Sequence, residues 1–113
     1  MEEKNSKKQE IDWNKKENDQ LLSSFLVLKN KDEISRFLRD LMTEGEIKEF
    51  SNRLEAASLL TKDTQYSAII EKTGLSSTTI ARISKWLKGP LGGYRLIFNR
   101  IHHPISKIEK GLL

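Results

Sequence analysis

Apolar residues recur along most of this chain at helical spacing, and no segment alternates with period two, so the pattern predicts an all-α protein of five to six helices. The first 16 residues are low in apolar content, with Trp13 the one large exception, and read as a flexible arm. LLSSFLVLKN then packs Leu21, Leu22, Phe25, Leu26, Val27 and Leu28 into eight positions. That apolar face is wider than one helical stripe and asks for cover on more than one side, which a second subunit supplies more readily than a small domain does. In the next helix Ile34, Phe37, Leu38 and Leu41 keep the three/four spacing, with Asp32 as its expected cap.

Thr43 and Glu46 have capping-box spacing, which places a helix start there. This helix is expected to carry Ile47, Phe50, Leu54 and Ala57 on one face and to end near Thr61. Asp63 or Thr64 is the expected cap of a short helix holding Tyr66, Ile69 and Ile70, which Gly74 ends. Ser76 or Ser77 caps the following helix, and Gly89-Pro90 is expected to stop it with a left-handed glycine. Beyond Pro90, Leu96, Ile97, Phe98 and Ile101 are compatible with one more short helix before Pro104. The expected organisation is thus an arm over 1–16, a helical dimerisation and DNA-binding domain over 17–90, and a basic tail over 91–113.

Residues 65–88 have the form of a helix-turn-helix, two steeply crossed helices held by a few apolar contacts around a tight turn. Counted from Tyr66, the turn glycine is the ninth residue, Gly74. Ile69, Leu75, Ile80 and Ile83 fall at the fourth, tenth, fifteenth and eighteenth positions, where the second helix packs on the first. Ile70 at the fifth position is larger than the small residue usual there. Ser76, Ser77, Thr78, Ala81, Arg82 and Lys85 are left to point outward. Hydroxyls at a helix N-terminus followed by cations suit a helix that enters a DNA groove end-first. The competing reading of the same residues is ordinary capping, a solvated basic face and a helical hairpin used only for packing.

Charge changes the picture because it is uneven. The net charge is +4, yet residues 74–113 carry seven basic side chains against Glu109 alone, while residues 1–73 are slightly acidic. One basic half suits a surface facing a polyanion. The 113 residues contain no cysteine, which removes disulfides, thiol nucleophiles and Cys-based metal sites. His102 and His103 are adjacent and diverge on a helix, so no metal site is expected. Gly89-Pro90-Leu91-Gly92-Gly93 lacks the Gly-Lys-Ser/Thr of a phosphate loop. No catalytic constellation, cofactor motif, membrane span or signal peptide is present, so the expectation is a cytoplasmic protein that is not an enzyme.

From Leu38 to Lys88 the sequence resembles the Trp repressor family. The resemblance rests on Leu41-Met42-Thr43, on Arg53, on Gly74, on Thr79-Ile80-x-Arg82, on Ser84 and on Leu87-Lys88. It implies an intertwined homodimer whose two reading heads enter successive major grooves of double-stranded DNA. By position, Ser76, Ser77, Thr78 and Ala81 would face bases, and Thr79, Arg82, Ser84 and Lys88 would lie near phosphates, with Lys85 on the same face. The family's tryptophan pocket would map onto Thr43, Arg53 and Arg82, with Ile83 in place of a glycine and Trp86 in place of a serine. Both replacements add bulk where the indole would lie. The resulting expectation is a sequence-specific DNA-binding regulator, a repressor, that does not respond to tryptophan and whose effector is unknown. The alternative is a protein-interaction module built on the same hairpin.

Overall fold

The computed structural model describes residues 10–102, which form six α-helices and no strand. The chain divides at the Met42–Thr43 junction into two compact units.

The first unit holds α1 (Lys16–Leu26) and α2 (Lys31–Leu41). Before α1, Asp12 organises a turn: its carboxylate accepts the Asn14 N–H at 3.0 Å, and its carbonyl accepts from the Asn18 side chain at 2.9 Å. The cap of α2 is Asn30, not the expected Asp32. The extended backbone of Asn30 (φ −158°) aims its side-chain oxygen at the Glu33 N–H, 2.9 Å away, and Glu33 answers by accepting the Lys29 N–H at 2.9 Å. Asp32, already inside the first turn, pairs with Arg36 at 3.4 Å instead.

Phe25 meets Phe37 edge-on, with ring centroids 5.4 Å apart and planes at 81°. Beyond that pair no core forms among the described residues of the unit: neither helix contains a buried residue. Leu26 is 84% exposed and Val27 70%. Of the wide apolar face read from the sequence, Leu21, Leu22, Phe25, Leu26 and Val27 are exposed and Leu28 is half-buried.

The second unit holds α3 (Glu44–Thr61), α4 (Tyr66–Thr73), α5 (Ser77–Leu87) and α6 (Gly93–His102). The capping box at the start of α3 is complete. Thr43 accepts the Glu46 N–H at 3.1 Å, and Glu46 accepts the Thr43 N–H at 2.9 Å. Ala56, Ala57, Ile69, Leu75, Ile80, Ile83 and Phe98 make the core, with Leu59, Leu60, Leu87 and Tyr94 against it. Each fully buried isoleucine contributes about 1.5–3 kcal/mol over exposure. The core gathers on the C-terminal half of α3, where two alanines let other helices approach closely. Of the face expected on α3, only Ala57 reaches it; Phe50 and Leu54 remain nearly half exposed.

Two expected helix signals are corrected. Asp63 does not cap α4 but ends α3: it takes a left-handed conformation (φ 59°), and the Thr64 N–H returns to the Leu59 carbonyl at 3.1 Å. Aspartate tolerates that backbone because its short side chain can bond locally. The residue preceding α4 is then Gln65, which makes no side-chain cap. At the end of α5 the cap is Lys88 in right-handed conformation, and the left-handed glycine of the following loop is Gly92 (φ 70°), not Gly89. Residues 93–102 form α6, which the basic tail of the sequence only suggested, and Phe98 anchors it in the core. His103 and Pro104 lie outside the described residues.

Candidate nucleic-acid interface

The turn between α4 and α5 is built by backbone chemistry. Gly74 adopts the left-handed conformation (φ 75°, ψ 3°) and donates its N–H to the Ile70 carbonyl at 2.8 Å, closing α4. Beside it the buried Thr73 hydroxyl donates to the Ile69 carbonyl at 2.7 Å and accepts the Leu75 N–H at 3.2 Å. The chain can therefore reverse within three residues and leave no buried side-chain polar atom unpaired among the described residues.

Leu75 follows the turn into the core, and Ser76 starts α5. Its hydroxyl accepts the Thr79 N–H at 3.1 Å and donates to the Thr79 hydroxyl at 3.1 Å. Of the two serines offered by the sequence, Ser76 is the cap. Ile80 and Ile83 are fully buried and Leu87 partly so, which fixes one face of α5 on the core. All four packing positions of the motif, Ile69, Leu75, Ile80 and Ile83, are buried, and the oversized Ile70 is accommodated by being 37% exposed.

The opposite face is set by the same periodicity. Ser76, Ser77, Thr78, Ala81, Arg82, Lys85 and Lys88 are exposed, while Thr79 and Ser84 are half-buried at its edges. The first turn of α5 contains no acidic residue, so nothing there neutralises the positive end of the helix dipole. An exposed helix start with hydroxyls, followed by three cations along one side, can take phosphates and base edges in one approach.

The residues expected around an effector are carried by two helices, Thr43 and Arg53 by α3 with its cap, and Arg82, Ile83 and Trp86 by α5. Thr43 is engaged in its capping box. Arg53 pairs with Glu49 at 3.1 Å and lies over the Phe50 ring, 5.7 Å from its centroid. Arg82 is on the outer face and Ile83 is in the core. Trp86, 46% exposed, instead lines an apolar cleft of about 560 Å³ with Leu54, Tyr94, Ile97 and the Gly89–Gly93 loop. The sequence reading missed Tyr94. Burial raises its phenol above the ordinary value, opposed by the nearby Arg53 charge, and its ring stacks on Phe98 at 6.2 Å. An aromatic pair at four-residue spacing, Tyr94 and Phe98, was the signal available for it.

Comparison with known proteins matches residues 16–102 to the family described as Trp repressor protein. The chain is 38% identical over 86 residues to the uncharacterized protein YerC of Bacillus subtilis, a match spanning 76% of this chain and 83% of that one. Among solved structures it resembles a TrpR-like protein from Eubacterium eligens, with a TM-score of 0.76 and 35% identity, over 80% of this chain and 94% of that one. A putative Trp repressor from Staphylococcus aureus superposes with a TM-score of 0.70 at 32% identity, over 74% of this chain and 84% of the other.

Proposed function

The chain belongs to the Trp repressor family, a type of helix-turn-helix DNA-binding regulator, and from that premise we propose that it is a dimeric, sequence-specific repressor whose α5 reads the major groove. The observation that carries this reading is the division of α5 into two faces. Ile80 and Ile83 are fully buried, and Ser77, Thr78, Ala81, Arg82 and Lys85 are left outward behind the Ser76 cap. In the proposed complex Ser76, Ser77, Thr78 and Ala81 face base edges. Thr79, Arg82, Ser84 and Lys88 lie near phosphates, and Lys85 adds charge on the same side.

Dimerisation is supported by the first unit. Leu21, Leu22, Phe25, Leu26 and Val27 are all exposed in the single chain, a contiguous apolar segment that monomeric proteins rarely leave to water. The natural cover is the same surface of a second copy, and a two-fold dimer with two reading helices suits half-sites one helical turn of DNA apart. Action on chromosomal DNA places the proposed protein in the cytoplasm, and no helix among the described residues is long and apolar enough to cross a membrane.

The experiment that tests the reading is selection of duplexes from a random-sequence pool by the purified chain, followed by affinity measurements across salt concentrations. A selected sequence should emerge, and Arg82→Ala should weaken binding to every duplex while reducing the salt slope by about one unit. Thr78→Ala and Ala81→Gln should change which sequence is preferred. Binding that ignores ionic strength, or affinity and slope untouched by Arg82→Ala, would overturn it in favour of a protein-interaction module. Sedimentation of a compact 13.1 kDa species at micromolar concentration would remove the dimer.

A further inference from the structure

The C-terminal end of α5 is held by a side chain to which the DNA-facing reading gives no part. Arg95, in the first turn of α6, donates from Nη1 to the Leu87 carbonyl and from Nη2 to the Gly89 carbonyl at 3.0 Å. The last carbonyls of a helix lack intrahelical partners and carry its partial negative charge, so a guanidinium fork there satisfies two acceptors and opposes the dipole. The loop is shaped to admit it. Gly92 has φ 70°, and a Cβ added there would come 2.9 Å from Arg95 Nη2 and 3.5 Å from Cζ. The other end of the clamp is fixed as well, because α6 is anchored in the core by Phe98, 8% exposed, on which Tyr94 stacks.

Between the two clamped carbonyls sits Lys88. Its own N–H closes the last turn of α5 onto the Lys85 carbonyl at 3.2 Å, and the Gly89 N–H follows onto Trp86 at 3.1 Å. The peptide group before Lys88 and the one after Gly89 are therefore held from α6, and the peptide between them is held by α5 itself. We propose that Arg95 is a positioning residue for DNA binding: it presents Lys88 and the last turn of α5 to the phosphate backbone without touching DNA itself. This rests on the reading of α5 as the DNA-facing helix. Arg95 is a cation in the basic half of the chain, so sequence alone would count it as one more phosphate contact. Its two carbonyl bonds give it a different role.

The test combines a double-mutant cycle with amide hydrogen exchange on the full chain, using as probe a duplex that the native protein selects from a random-sequence pool. Arg95→Ala should lower affinity by roughly tenfold, the change expected when a charge-assisted hydrogen bond that preorganises a contact is lost. In a Lys88→Ala background the same substitution should change affinity by less than about twofold, because coupled residues are non-additive. Arg95→Lys should not rescue, since one ammonium cannot reproduce the planar fork. Exchange at Lys88 and Gly89 should quicken in Arg95→Ala while the Ile80 and Ile83 amides stay protected. Additive losses, native affinity in Arg95→Lys, or unchanged exchange at Lys88 and Gly89 would each overturn the proposal. If no duplex is selected and Arg82→Ala is silent, the DNA-binding reading falls, and with it the proposed role of Arg95. Exchange at Lys88 and Gly89 then still shows whether the clamp exists.

Discussion

The Thr73 hydroxyl accepts the backbone N–H of Leu75 across Gly74, at 3.2 Å, inside the core of the second unit. This one bond spans the turn of the helix-turn-helix, and the same hydroxyl also donates back to Ile69 at 2.7 Å. Thr73→Val keeps the shape and removes both bonds. Leaving the Leu75 amide buried and unpaired should cost about 1–3 kcal/mol, read as a lower denaturant midpoint with an unchanged slope.

Gly74 separates backbone strain from crowding. A Cβ added there would meet nothing within 4 Å, so any cost of Gly74→Ala comes from φ 75° alone. That cost should be about 1–2 kcal/mol. Gly74→Asn should lose less, because asparagine tolerates the left-handed region. Thermal unfolding of the two variants checks the order.

Tyr94 makes stability sensitive to alkaline pH. Burial raises its pKa in the folded chain above the ordinary value of 10.0, with Arg53 acting against the shift. A group raised on folding stabilises the fold fully below its unfolded pKa, and the contribution disappears as pH rises through the folded value. The native chain should therefore lose stability faster than Tyr94→Phe as pH climbs from about 9 to about 11. Parallel melting curves over that interval, with equal slopes for both proteins, would contradict it.

Free L-tryptophan should not be an effector. The resemblance puts Ile83 where the family has a glycine beside the indole, and Ile83 is fully buried, so forcing further atoms into that packed place costs about 1–3 kcal/mol. Calorimetric titration should give no saturable heat, and DNA affinity should not change on adding tryptophan. Saturable binding with a matching gain in affinity is the contrary result.

Much of the reading unit was legible in the residues. Ile69, Leu75, Ile80 and Ile83 lie at fixed offsets from Gly74, and all four are buried. The capping box at Thr43 and the outward hydroxyls of α5 follow from local rules of the same kind: side-chain oxygens at a helix start, apolar groups every three or four residues, glycine where φ must be positive. Such rules act within a few residues of one another, so a one-dimensional string contains them.

Caps and cover were decided by geometry the string does not hold. Asn30 rather than Asp32 caps α2 because only Asn30 has the extended backbone that aims its oxygen at the Glu33 amide. Phe50 and Leu54 share a face with Ala57, yet the core forms where the two alanines permit close approach, and only the packed helices choose that place. Arg95 reaches the Leu87 and Gly89 carbonyls past Gly92, three residues earlier in a left-handed turn, and nothing in its place among the basic residues of the sequence announces that path. Local pattern determined which residues become helix, turn and outer face. Which side chains meet across the turns was left to tertiary structure, because that depends on the directions in which separate helices leave their loops.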